Sequence, residues 1–346
     1  MMKIIQIMGS YNDGGAEIFY IDALAALKNI NIEQYAIVNY KNKKGISKLN
    51  ELNIPFTAVS FNKLFKWSTK STIAKVIKEF KPDIAHYWMG RASSFMINGE
   101  HINVGWHSGF RGIERFKACD YHIALTKELK NHIASQGIEP DKIYELPIYT
   151  NKNVSKKLLR KDLDTPEDKP LLLSLSRLHK VKGIDILLEA MVKIPEAFLW
   201  VAGSGPLKKN LVEKTKKLGL NERVKFLGWR DDSAALMATS DICVFPSRND
   251  AFGAVIIEAW AAKKPIISCK SPGPRAIIKD NYDGLLVEID DVAQLAEAIN
   301  KVINNNKLGK LLAKNGYAKF VESYSKKAFT SNITRIYNLI IKLKQK

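Results

Sequence analysis

The feature that most constrains this chain is a regular alternation of short β-branched runs with helix-periodic segments, broken once near the middle. Strand-like runs fall at Lys3–Met8, Tyr35–Val38, Ile84–Tyr87, Ile102–Trp106 and Tyr121–Leu125, with helical spacing between them, as in Ile18, Ile21, Leu24, Ala25 and Leu27. Parallel strands need crossover connections, usually helices, so this rhythm predicts parallel α/β layers. Over residues 151–169 the periodicity fails: the stretch is charged, carries Pro166 and is followed by Pro170, as a linker would be. The alternation then restarts, with strands expected at Leu171–Ser176, Ala197–Ala202, Val224–Leu227, Ile242–Phe245, Pro265–Ser268 and Gly284–Leu286 and helices at Asp185–Lys193 and Leu207–Leu218. A last amphipathic helix, Lys326–Leu343, aligns Phe329, Ile333, Ile336, Leu339, Ile340 and Leu343. With 346 residues the chain exceeds what one core usually supports. The expectation is therefore two α/β units, at 1–155 and 171–325, a linker at 156–170 and a terminal helix at 326–346.

Composition narrows the class. With 46% hydrophobic and 26% charged residues the chain is that of a folded protein, and no run approaches the ~18 apolar residues of a spanning helix. The start reads as a strand and not as a signal peptide. Cys119, Cys243 and Cys269 are odd in number and widely spaced, so they read as buried thiols of a reducing compartment; a cytoplasmic protein is expected. The net charge of +19 favours anionic partners such as nucleotides, phosphorylated substrates, nucleic acid or an acidic membrane. No helix carries a dense Arg/Lys stripe and no nucleic-acid module is present, so nucleic acid is not the expected partner.

In doubly wound sheets ligands collect at the carboxyl ends of strands, where helix N-termini face outward. Several turns there carry chemistry. Gly9-Ser-Tyr-Asn-Asp-Gly14-Gly15-Ala16-Glu17 links a strand to a helix; it is neither the dinucleotide fingerprint nor a P-loop, but its glycines allow a backbone amide to approach an anion. Arg177-Leu-His-Lys-Val-Lys182-Gly183 places cations where a diphosphate would need them, although a solvated basic loop looks the same. Ala202-Gly203-Ser204-Gly205-Pro206 is a further strand-to-helix turn. The most informative stretch runs from Phe245-Pro246-Ser247 through Asp250 and Gly253-Ala254-Val255 to Glu258. Amides at Gly253, Ala254 and Val255 can meet phosphate, while the carboxylates of Asp250 and Glu258 can accept from sugar hydroxyls. The competing reading makes Asp250 a helix cap and Glu258 a buried paired acid.

Taken in order, Gly14-Gly15-Ala-Glu17, Arg177-x4-Lys182-Gly183, Gly203-x-Gly205-Pro206, Val224-x-Phe-Leu-Gly228 and Pro246-Ser through Glu258 resemble the family 4, or group 1, nucleotide-sugar-dependent retaining glycosyltransferases. The resemblance implies the GT-B architecture: two facing Rossmann-like domains and a terminal helix crossing back to the first. It implies that Arg177 and Lys182 hold the donor diphosphate, Glu258 the ribose, and Asp250 the donor sugar. Asp250 stands where the family has glutamate, one methylene longer. Gly15 would adjoin the phosphates from the opposite domain, Gly14 and Gly203 would be further substrate-binding positions, Gly228-Trp229-Arg230 would adjoin the nucleobase, and His107 the reacting sugar; a lone histidine can equally be structural. His86 matches another family position, with a structural or cleft-lining role. The implied reaction needs no cofactor and no metal, and the one Asp-x-Asp, Asp162-Leu-Asp164, falls in the charged linker. The expected partners are a nucleotide-sugar donor and a glycan or lipid-linked acceptor of cell-envelope polysaccharide or lipopolysaccharide, chosen by the first domain. An inactive nucleotide-sugar-binding relative, or a basic nucleic-acid-binding protein, is the alternative. Phe61 through Lys70 mixes aromatics with Lys63, Lys66 and Lys70, which suits an anionic membrane surface or a solvated crossover helix.

Overall fold

The β-branched runs assemble into two all-parallel sheets, each flanked by the helices that connect its strands. The computed structural model describes residues 1–12, 14–28, 30–62, 64, 66–151 and 157–345. The chain divides into one unit of Met1–Ile148 with Lys326–Lys346 and another of Tyr149–Ser325.

The first unit runs β1 (Met2–Met8), α1 (Gly15–Leu27), β2 (Ile32–Asn39), α2 (Lys43–Glu51), β3 (Phe56–Val59), α3 (Lys66–Phe80), β4 (Ile84–Trp88), α4 (Met89–Ser93), β5 (Ile102–His107), β6 (Tyr121–Ala124), α5 (Lys127–Ala134) and β7 (Ile143–Glu145). Its strand order is β3-β2-β1-β4-β5-β6-β7, with the chain reversing its direction of winding between β1 and β4. Strands β4 and β5 are buried along their whole length, as expected where helices cover both faces.

In the second unit, β8 (Leu171–Leu175), α6 (Ile184–Val192), β9 (Phe198–Ala202), α7 (Lys208–Lys217), β10 (Val224–Gly228) and α8 (Ser233–Thr239) are followed by β11 (Ile242–Phe245), α9 (Ala254–Ala261), β12 (Ile266–Cys269), α10 (Pro272–Ile277), β13 (Leu285–Val287), α11 (Val292–Ile303) and α12 (Asn306–Lys319). The order β10-β9-β8-β11-β12-β13 repeats the same reversal, here between β8 and β11. Both sheets thus have the doubly wound plan in which ligand sites form where the winding reverses.

The last helix, α13 (Lys326–Lys344), belongs to the first unit. It buries Phe329, Ile333, Ile336, Tyr337 and Ile340, whereas Leu339 and Leu343 of the expected stripe stay exposed and Tyr337 takes part instead. Each such burial contributes about 2 kcal/mol. These side chains close over an aromatic cluster in which Trp88 stacks on Trp106 at 4.6 Å and His86 on Trp88 at 4.7 Å. Within it the Tyr337 hydroxyl lies 2.7 Å from His86 Nδ1, and the Trp88 indole donates to Gln6 Oε1 at 2.8 Å. Burial lowers the His86 pKa to about 3, so the ring is neutral and structural, in line with one of the two roles expected for it.

Part of the stretch expected to be a linker is packed on the second unit. Arg160 is buried; its guanidinium donates to Thr239 O at 3.0 Å and pairs with Asp241 Oδ1 at 2.9 Å, while Thr165 accepts from the Trp200 indole. Within that charged stretch the Arg160 guanidinium also donates to Lys169 O at 2.9 Å. Residues 152–156 of that stretch lie outside the described residues. The three cysteines are buried and unbridged, and burial pushes their thiols up.

Candidate active site

Three loops at the carboxyl edge of the second sheet are laced together by backbone contacts, and these contacts place the side chains. After β8 the chain turns at Gly183, whose φ of +64° suits glycine; a Cβ there would lie 2.0 Å from Pro246 O. That close approach sets the loop after β11 against the loop after β8. Arg248 N donates to Val181 O at 2.8 Å and Ser247 Oγ donates to the same carbonyl at 3.1 Å. The Arg248 side chain then locks both loops, pairing with Asp185 at 2.7 Å and Asp290 at 2.5 Å.

Within this frame Lys182 and Asp250 meet. Their Nζ and Oδ2 atoms are 2.5 Å apart, and the two side chains are only 20% and 19% exposed. Asp250 is also fixed by its own loop: Oδ1 accepts from Phe252 N at 3.2 Å and its carbonyl from Gly273 N at 2.8 Å. Lys182 Nζ stands over the Phe245 ring at 5.5 Å. Arg177, by contrast, is exposed, and its side chain has no hydrogen-bond or ion-pair partner among the described residues. One cation is therefore held by an acid and the other extends freely from the same turn.

Gly253 precedes α9 with φ +89°, and no side chain caps the helix, so the first-turn amides at Ala254 and Val255 are open to an anion. Glu258 is half-buried within α9; its charge, after burial itself, helps raise the Cys243 thiol. The Gly203 loop closes against the first turn from the other side, where a Cβ would sit 1.9 Å from Ser176 O and Gly203 N donates to Gly228 O at 2.7 Å. Beyond Gly228 the Trp229 ring is 62% exposed, while Arg230 is engaged by Asp232 in a two-pronged pair at 2.5–2.7 Å. The structure thus brings Arg177, Lys182, Asp250, Gly253, Ala254, Val255, Gly203 and Gly228 to neighbouring loops of one sheet edge, with Glu258 in the helix that starts there.

The remaining candidates belong to the first unit. Gly14 precedes α1 without a side-chain cap, and a Cβ on Gly15 would meet nothing within 4 Å. Glu17 in the first turn of α1 is buried and accepts from Ser10 Oγ. His107 ends β5, is 3% exposed, stacks on Phe116 at 3.9 Å, and places Nε2 3.0 Å from His122 Nδ1. Burial first, then the neighbouring His122, lowers its pKa to about 3, and burial lowers that of His122 to about 4. His107 is therefore a neutral ring. Its partner His122 carried no sequence argument; the pairing arises because β5 and β6 are neighbours with Gly105 opposite His122. The Asp185 and Asp290 clamps on Arg248 also had no local signal, since they lie 63 and 42 residues away. Asp164 of the Asp-x-Asp pairs with Lys225 at 3.5 Å. Among the described residues no group of three His, Cys, Asp or Glu is arranged to hold a metal.

Residues 155–319, nearly the whole second unit, match the family described as glycosyl transferases group 1. Over 333 residues the chain is 29% identical to the lipopolysaccharide core biosynthesis glycosyltransferase LpsE of Rhizobium meliloti, covering 92% of this chain and 94% of LpsE. The chain is a glycosyltransferase whose second unit matches the group 1 family. This transferase is also 27% identical to LpsD of the same organism over 95% of its own length and 96% of LpsD. The solved structure of Anabaena HepE in complex with UDP matches 98% of the transferase and 100% of HepE, with a TM-score of 0.85 at 20% identity. Together with the two doubly wound sheets, this likeness gives the transferase the GT-B fold. No helix among its described residues is long and apolar enough to cross a membrane.

Proposed function

We propose that this transferase moves a sugar, with retention of configuration, from a nucleoside-diphosphate sugar to a glycan or lipid-linked acceptor of the cell envelope, as in lipopolysaccharide core assembly. The observation that carries the donor half is the Lys182–Asp250 pair beside the free Arg177 and the uncapped start of α9. Cations and helix amides can there face a diphosphate, with an acid at the same place for the sugar. The relatives LpsE and LpsD support the acceptor class, and the UDP in HepE makes UDP the first nucleotide to test.

In this reading Arg177, Lys182 and the α9 amides take up the charge that grows on the diphosphate as its bond to the sugar C1 breaks. These groups fill the role a metal would otherwise have, so no metal is required. The acceptor hydroxyl forms the new bond to C1 on the same face and passes its proton to the departing phosphate oxygen. Glu258 accepts from the ribose hydroxyls and Asp250 from the sugar. His107 enters as a neutral imidazole whose Nε2 is occupied by His122, leaving Nδ1 for a hydroxyl. The first unit takes the acceptor. An anionic membrane surface completes the proposal: Leu64 and Trp67 are 86% and 90% exposed beside Lys66 and Lys70 of α3. Lys63 of that cluster lies outside the described residues.

Nucleotide release from a panel of UDP-, GDP- and ADP-sugars tests the donor, and proton NMR of the first product formed tests the anomeric outcome. Arg177→Ala and Lys182→Ala should each abolish turnover. Full turnover in both variants, or no thermal stabilisation by any nucleotide of the panel, would end the reading.

A further inference from the structure

At the carboxyl edge of the first sheet, three neighbouring strands end in loops that bring two cations onto tyrosine rings. Tyr11 follows β1, Tyr40 and Lys41 follow β2, and Arg91 lies in α4 directly after β4. Lys41 Nζ stands 5.6 Å from the centre of the Tyr11 ring and 5.8 Å from that of Tyr40; Arg91 Cζ stands 5.4 Å from Tyr11. Both rings remain partly open, at 41% and 45% exposure, and both cations are exposed.

The group is held in place by its backbone. Asn39, 1% exposed, donates through Nδ2 to Gly9 O and Ser60 O, each at 3.1 Å, and accepts from Lys41 N at 3.0 Å. It thus ties the loops after β1, β2 and β3 together. The Arg91 stem lies over Gly9, where a Cβ would come within 3.0 Å of Arg91 Cγ. Neither Lys41 nor Arg91 has a carboxylate at ion-pair distance among the described residues. Arg160, Arg230 and Arg248, by contrast, are each paired with a carboxylate. Two cations without a counter-ion among the described residues, beside phenol hydroxyls that can donate and accept, form a site for an anion attached to a polyol.

We propose that Lys41, Arg91, Tyr11 and Tyr40 bind a negatively charged sugar, bearing phosphate or carboxylate, as the recognised part of the acceptor. This rests on the reading that the first unit takes the acceptor. The guanidinium and ammonium bind the anion, the rings hold the cations in position, and the phenols meet the sugar hydroxyls.

The test uses the full chain saturated with UDP, so that Arg177 and Lys182 are occupied, and saturation-transfer NMR titrations of glucose, glucose 6-phosphate and glucuronate. At least one anionic sugar should bind about tenfold or more tightly than glucose, and comparison of the two identifies the favoured anion. Lys41→Glu with Arg91→Glu should remove that preference, Lys41→Arg should keep it, and Lys310→Glu, an exposed charge of the second unit, should leave it unchanged. Equal binding of the three probes, or a preference that survives the double reversal, overturns the proposal. A preference lost instead in Arg177→Ala with Lys182→Ala also overturns it, and assigns the anion to the donor residues. If UDP itself fails to bind, the donor reading is refuted separately, and the titrations without UDP still decide this one.

Discussion

Asp250 and Lys182 form an ion pair about four-fifths buried, and a donor phosphate bound to Lys182 would have to share the ammonium with that carboxylate. A phosphate on the far side of the same ammonium would stand about 6 Å from the carboxylate. At an effective dielectric near 20, one such like-charge pair costs about 3 kcal/mol, and partial solvent access reduces this to about 2. Asp250→Asn removes the repulsion and keeps the shape, so UDP should bind about 10- to 30-fold more tightly. Stability should move the opposite way, because Lys182 loses its partner at a cost of about 1–3 kcal/mol. Lys182→Ala should weaken UDP by about tenfold or more, since a charge-assisted bond is lost and the carboxylate is left facing the phosphate. Sugar transfer should fall in both variants, in Asp250→Asn through the lost acceptor for the sugar hydroxyl. Isothermal titration with UDP, alongside urea unfolding of the free protein, reads all of these. Tighter nucleotide binding in a less stable protein is a combination that misfolding cannot imitate. Unchanged or weaker binding of UDP by Asp250→Asn would refute the reasoning.

Gly183→Ala should cost more than about 2 kcal/mol in urea unfolding, through its positive φ and the collision with Pro246 O, and should weaken UDP binding by separating the two loops; a change under about 0.5 kcal/mol would contradict the lacing of those loops. His86, His107 and His122 are buried with folded pKa values of about 3, 3 and 4, below their ordinary 6.5, so the unfolded chain takes up their protons first. Their neutral-state contribution is complete above about pH 6.5 and is lost as pH falls toward 4, by up to about 1.4 kcal/mol per pH unit for each ring. Urea unfolding between pH 7 and 5 should show that slope, and His122→Gln should flatten it; a pH-independent midpoint would be inconsistent. Flotation with vesicles containing anionic lipid should retain the protein at low salt and lose it at high salt, and Trp67→Ala or Lys66→Glu with Lys70→Glu should weaken it. Absence from the vesicle fraction at low salt would remove the membrane surface from the proposal.

The doubly wound plan was legible because buried parallel strands such as β1 and β4 are nearly continuous apolar runs, and because each donor motif sits at a strand's carboxyl end. Strands β3 and β7, with four and three residues, were too short to stand out, and both lie at sheet edges where burial is partial. In the site, Arg177, Lys182, Asp250 and Glu258 could be singled out by residue type and spacing. What spacing could not show was that Lys182 and Asp250, 68 residues apart, are joined, or that Arg248 is clamped by one acid from the start of α6 and another from the loop after β13. Contacts between distant loops depend on strand order, which no local pattern encodes. Arg160, in the charged stretch expected to be a linker, instead fills a pocket of carbonyls and a carboxylate.

The helix that completes the first unit follows the whole of the second unit in the sequence. On the ribosome, the aromatic cluster around Trp88 and His86 must wait uncovered while everything from Tyr149 to Ser325 is synthesised, and the second unit has its full sequence available before the first does. A chain cut short before α13 would therefore damage the beginning of the protein and spare its middle.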